Sequence, residues 1–175
     1  MTLAIANGFI VFPALKRELS AGLDKARRMP PPARAVIPLA QHEGEPALPV
    51  VREGERVCVG TLLGAPNGDF SAAVHSSGSG KVTGIVMAPH PSLGRALAVA
   101  VESDGEDRLD PEIGERTAES FSLQDMADII RSAGIVGLSG NARPTHLKFS
   151  RPVRTVILNG MESEPYLAAD YIVMM

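Results

Sequence analysis

The residues whose types could do chemistry are four histidines, one cysteine, a Gly-Ser-Gly-Lys run and two closely spaced glutamates. His42, His75, His90 and His146 show no metal-ligand spacing, and no His–carboxylate set suggests hydrolysis. His42 and His75 stand in turns and suit structural hydrogen bonds. Cys58, between Val57 and Val59, is expected to be an inert small hydrophobe rather than a reactive thiol. At 78–81 a phosphate loop would need glycine at position 75 and Ser or Thr at 82, but His75 and Val82 stand there, so a tight turn is expected. The acidic stretch 102–107 lacks the alternating ligands of a calcium loop. Glu162 and Glu164 lie in a strand-to-helix loop, where carboxylates near a helix N-terminus are favoured for ordinary reasons.

Composition excludes several classes around these residues. Among 175 residues, 17 are basic and 20 acidic, and a net charge of −3 argues against a polyanion-binding surface. With no Trp, 2 Tyr and 5 Phe, a base-stacking platform is not expected either. A single cysteine excludes a disulfide framework, a Cys-based zinc site and an iron–sulfur cluster held within this chain. No run approaches the ~18 apolar residues of a membrane span. The opening stretch lacks a basic n-region and a clear cleavage site, so a cytoplasmic protein is expected.

The elements that must position the candidate residues follow from 17 Gly and 14 Pro, a turn-rich usage suited to short strands. Residues 1–34 end in Pro30, Pro31 and Pro32 and predict an extended arm. Over 35–102, short apolar runs at 35–40, 48–51, 56–59, 61–65, 71–74, 81–87 and 95–102 alternate with Gly, Asn and Pro turns, which predicts a small all-β barrel or sandwich. Residues 103–119 are acidic and turn-rich and predict a linker. Ser122 with Asp125 opens a helix whose apolar face is Leu123, Met126, Ile129, Ile130 and Ala133 and whose stop is Gly134. A loop at 137–144, a strand at 154–158 and a final helix from Pro165 complete 120–175, which is expected to be the incomplete start of an α/β domain. The class is therefore α+β, and the unfinished sheet predicts a covering partner or self-association.

Two stretches carry a family resemblance. Residues 38–86 hold Gln41-His42-x-Gly44-x-Pro46, then Val51-x-x-Gly54-x-x-Val57-x-x-Gly60, then Ser71-Ala72-x-Val74-His75 and Ser79-Gly80-x-Val82. This resembles the lipoyl-like barrel-sandwich hybrid of the C subunit of Rnf (and Rsx) electron-transport complexes. AGIVGLSGNARPTHLKF followed by VILNGMESEPYLAAD resembles the start of the FMN- and NADH-binding domain of that protein and of the complex I flavoprotein subunit.

The resemblance implies a subunit that takes electrons from NADH onto FMN and passes them towards iron–sulfur centres, peripheral to the inner membrane through partner subunits. In the family the glycine loop brings backbone amides to the FMN phosphate and a following lysine adds positive charge. Gly137, Gly140 and Lys148 keep that pattern, with Leu138, Pro144 and Thr145. Ser139, Asn141, Ala142 and Arg143 depart from it, and loss of FMN binding is the expected outcome, although arginine can stack on a ring or pair with phosphate. Asn159, Glu162 and Glu164 match the family's Asn-x-x-Glu-x-Glu-Pro pattern and would contact flavin or nicotinamide. The cysteine motifs of the family's electron exit are absent, so this chain alone is expected not to oxidise NADH and to be a truncated or diverged relative. The alternative is a non-catalytic docking or assembly module built on the barrel. A covalent carrier is disfavoured, because the turn that would present its lysine reads APNGDFSAA.

Overall fold

A computed structural model of the protein describes residues 4–6, 9–11, 30–114, 121–137, 141–149 and 151–155. The chain divides into two units, Met1–Met29 with Thr155–Met175, and Pro30–Arg154. In the first unit, strands β1 (Ala4–Ala6) and β2 (Phe9–Val11) pair antiparallel within the stretch where the sequence predicts an extended arm. The reason is local: Asn7-Gly8, the residue pair most suited to a two-residue hairpin, separates two apolar triplets. Of the expected strand at 154–158 only Arg154 and Thr155 are described, neither of them in a strand, and the expected final helix lies outside the described residues.

In the second unit, strands form where short apolar runs predict them: β3 (Arg34–Pro38), β4 (Leu48–Pro49), β5 (Arg56–Val57), β6 (Leu62–Ala65), β7 (Val74–His75), β8 (Gly80–His90) and β9 (Gly94–Ser103). One sheet runs β3-β9-β8-β5 and the other β4-β6-β7. Ile37 lies opposite Val99, and Val82 opposite Val101, so these side chains share the inner face. They meet Leu39, Val51, Val57, Leu63 and Val74 in one core. Leu39, Leu63, Val82 and Val99 have no exposed surface, and full burial of such side chains is worth roughly 1.5–3 kcal/mol each. Two sheets around a single core give the expected barrel-sandwich.

β8 and β9 run further than the sequence predicts, to a tight turn at 91–93. His90 stabilises that end. Its Nε2–H donates to the Ala40 carbonyl at 2.7 Å, which leaves Nδ1 to accept the Leu93 N–H at 3.2 Å.

The acidic stretch from 103 begins as a strap on the barrel rather than as free linker. Ser103 ends β9, Val59 N–H donates to the Arg108 carbonyl, and Asp110 N–H donates back to Val59. The carboxylates that suggest solvation accept from hydroxyls: Ser79 donates to Asp104, and Thr61 donates to Asp110. Arg108 adds an ion pair to Asp104 at 2.6 Å. The Ser79 hydroxyl first, then the Glu106 N–H and Arg108, hold the Asp104 carboxyl down to about 2. A depressed folded-state value means the strap's contribution is present above the ordinary carboxylate range and is lost as pH falls through it towards the folded value. Thermal melts of the wild type and Asp104→Asn are therefore expected to differ at about pH 5 and to converge near about pH 2.

After the strap comes helix α1 (Leu123–Ser132), opened by the expected capping box: Ser122 accepts from the Asp125 N–H, and the Asp125 carboxylate accepts from the Ser122 N–H. It closes as a full Schellman motif, with Ile135 N–H donating to Ile130 and Gly134 N–H to Arg131.

Candidate functional site

Behind α1 the chain makes a closed loop. Val136 bridges Pro144 antiparallel, Gly137 N–H donates to the Arg143 carbonyl at 3.0 Å, and Thr145 N–H donates to Ile135 at 3.1 Å. These rungs clamp the base of the loop around Pro144, which is fully buried. A short 3-10 helix follows directly (Thr145–Phe149) and carries Lys148, whose side chain is exposed. Gly137 and Lys148 are thus set on the two arms of one loop. Gly140, Asn159, Glu162 and Glu164 lie outside the described residues, so the structure brings together only these two of the expected site residues.

The substituted positions behave differently from one another. Ala142 has φ +52, a left-handed conformation that costs an L-residue roughly 1–2 kcal/mol, at a position where the family resemblance expects glycine. Ala142 thus adopts a conformation that glycine would take without that cost. Arg143 lies over the ring of Phe70, 5.4 Å from its centroid, and so is engaged by the barrel.

Phe70 belongs to the turn joining β6 and β7, the APNGDFSAA segment, and this turn meets Arg131 near the end of α1 and Arg143 and His146 beyond it. Arg131 donates through its guanidinium to the Gly68 carbonyl, and His146 Nε2–H donates to the Asp69 carbonyl at 2.9 Å. Ala73 N–H donates to the Arg131 carbonyl at 3.1 Å, and Glu43 N–H to that of Ala142 at 3.2 Å. On the barrel side, Glu45 N–H donates to the Phe70 carbonyl, and Ala72 N–H donates to His42 Nε2 at 3.1 Å. That acceptor role leaves the His42 proton on Nδ1, which faces the Glu43 carbonyl at 3.2 Å.

The seam is held against a penalty. Ser71 Oγ, Arg131 Nε and His146 Nδ1 are buried without a partner, and each such atom costs on the order of 1–3 kcal/mol. His75 also borders it, and burial pushes its imidazole below the ordinary value. The neutral ring is the one the fold accommodates, so that benefit fades as pH falls below the ordinary imidazole range. Sequence alone does not single out Phe70, Arg131 or the pairing of His146; the missing lysine in their turn is the one signal it offers. Among the described residues, no group of three or more His, Cys, Asp or Glu side chains is placed to hold a metal ion.

Barrel, clamped loop and lysine define a class: a barrel-sandwich hybrid joined to the opening of a flavin-binding domain. Comparison with known proteins finds the same two parts. The family model of the RnfC barrel sandwich hybrid domain matches residues 8–106, and that of the Nuo51 FMN-binding domain matches residues 130–175. The C subunit of the Na(+)-translocating ferredoxin:NAD(+) oxidoreductase complex of Acetobacterium woodii is 43% identical over 148 residues, covering 82% of this chain and 33% of the relative. The proton-translocating counterpart of Clostridium ljungdahlii is 42% identical over 147 residues, 81% of this chain and 32% of the relative. The C subunit of the ion-translocating oxidoreductase complex of Pseudomonas aeruginosa is 38% identical over 176 residues, 95% of this chain and 22% of the relative. The chain belongs to the RnfC family and spans about a third, or less, of the length of these curated relatives.

Proposed function

We propose that this chain supplies the barrel and the phosphate end of the FMN site in the C subunit of an Rnf-type electron-transport complex. The observation that carries the reading is the clamped loop: its base is closed by the Gly137–Arg143 hydrogen bond, Ala142 holds a glycine-like turn, and Lys148 follows at once on the adjoining helix. Backbone N–H groups of such a loop would meet an anion, and the lysine would add a point charge. Gly137 and Gly140 would let the backbone approach the phosphate, while Asn159 would hydrogen-bond the flavin or its ribityl chain and Glu162 and Glu164 would accept hydrogen bonds from ribose hydroxyls or the carboxamide.

Bound FMN would supply the step between a two-electron nicotinamide and one-electron carriers. The chain's own part is to bind and orient. With one cysteine it does not hold a cluster by itself, so electrons would leave through residues or subunits outside this sequence, and NADH oxidation by this chain alone is not expected. Its partners would be the other subunits of the complex, with no nucleic acid among them. Through them it would sit peripherally on the cytoplasmic face of the inner membrane; no helix of the described residues is long and apolar enough to cross a membrane. Self-association through the unfinished C-terminal region, 120–175, is a further expectation, read by sedimentation at several concentrations.

The test is a fluorescence titration of the chain with FMN. Saturable binding is expected, weakened about tenfold or more in Lys148→Ala, the size of a charge-assisted contact to phosphate. Ala142→Gly is expected to stabilise the loop by about 1–2 kcal/mol without a matching gain in affinity, since the left-handed turn is already present in the unbound chain. Absence of saturable binding in the folded wild type would overturn the flavin assignment and favour the docking module.

A further inference from the structure

We infer that the turn between β6 and β7, residues 66–73, is a positioning element for the flavin-phosphate loop, so that the barrel sets the loop's geometry. The inference rests on the assignment of FMN to that loop. It goes beyond it by giving the barrel a role in the site.

Contacts from both sides of the loop converge on one short turn. Before the loop, Arg131 reaches the Gly68 carbonyl with its guanidinium and takes the Ala73 N–H on its own carbonyl. At the closing of the loop, Arg143 lies over Phe70. After it, His146 donates to the Asp69 carbonyl. The loop's last residues are also tied to the barrel directly, through Glu43 N–H to the Ala142 carbonyl. The turn is itself immobilised from the other side by His42 and Glu45, in the Gln-His-x-Gly-x-Pro motif. A carrier domain uses such a turn to present a free lysine to solvent. Here it carries no lysine, and Ser71 has no exposed surface. The position of Ala142 and Arg143 is therefore dictated by the barrel, and a phosphate-binding loop loses affinity when its backbone is free to wander, because ordering it must then be repaid on binding.

The joint is tested in the full chain with Phe70→Leu, Phe70→Tyr and the double variant Phe70→Leu, His146→Leu. Two readings are taken together: amide hydrogen exchange over 141–149 and FMN affinity by fluorescence. Phe70 and Arg143 are surface-exposed, so the barrel is expected to keep its exchange protection in β8 and β9. Exchange over 141–149 is expected to rise about threefold in Phe70→Leu, the scale of an exposed cation–π contact, and about tenfold or more in the double variant. FMN affinity is expected to fall in parallel, and Phe70→Tyr, which keeps the ring, is expected to restore both. Unchanged exchange in the double variant overturns the joint. Faster exchange with undiminished FMN affinity overturns the positioning role and leaves a structural contact. If the wild type binds no FMN while exchange responds as expected, the flavin assignment falls and the joint stands.

Discussion

Gly44→Ala is expected to lower the melting temperature of the barrel unit by on the order of 10 °C and to weaken FMN binding with it. Gly44 has φ +101, and a methyl built on it would lie 2.1 Å from the Phe70 carbonyl oxygen and 2.9 Å from the Phe70 Cβ. Neither atom is the loose end of a side chain. The Phe70 carbonyl is held by the neighbouring Glu45 N–H at 3.1 Å, so the loop carrying Gly44 and the turn carrying Phe70 cannot both stay in place. The left-handed conformation costs an alanine about 1–2 kcal/mol and the forced displacement about 1–3 kcal/mol more. Because the displaced element is the turn that grips Arg143 and His146, the effect extends to the glycine loop at 137–144. Thermal denaturation gives the first part and flavin titration the second. A melting temperature within a degree or two of wild type would mean that this close approach does not hold the turn.

How much of this arrangement can be read from residues alone depends on how far apart in sequence the interacting groups stand. The strands of the barrel are legible where short apolar runs are bounded by Gly, Pro or Asn, though not the full length of β8 and β9, and α1 is legible because Ser122, Asp125 and Gly134 are local signals at its two ends. The strap is not. Asp104 and Asp110 look like solvated acids, and only the fold brings Ser79, 25 residues away, and Thr61, 49 residues away, to donate to them. The seam is more distant still: Arg131 meets a carbonyl 63 residues back and His146 one 77 residues back. No periodicity records such pairings. In the candidate site the glycine loop is legible as a motif, yet the side chain of Arg143, which sequence alone allows to stack on a ring or pair with a phosphate, is found on Phe70. A residue's chemistry is readable in advance; which of its possible partners it meets is decided by the turn at 66–73.

The same turn makes Gly134 sensitive to substitution on the other side of the seam. It closes α1 at φ +71 and comes so near the barrel that a methyl on it would stand 2.4 Å from the Ala73 carbonyl oxygen and 3.4 Å from His75 Nδ1. The Ala73 N–H is donated to Arg131, one helical turn back, so the end of α1 lies against the turn's backbone at a separation only hydrogen permits. Gly134→Ala therefore faces the cost of the left-handed cap and of the clash together, about 3 kcal/mol, or about a hundredfold in the equilibrium that docks α1. No side chain of α1 is fully buried, so the barrel core does not depend on that docking. The expected result is a split one: exchange of the α1 amides accelerates by up to about a hundredfold and FMN affinity falls by more than about tenfold, while the melting of the barrel strands barely moves. Gly44→Ala, by contrast, damages both. Measured side by side, the two variants separate the stability of the barrel from its hold on the glycine loop, and equal losses of barrel stability in both would show that the helix and loop are part of the barrel's own folding unit rather than a segment docked on its turn.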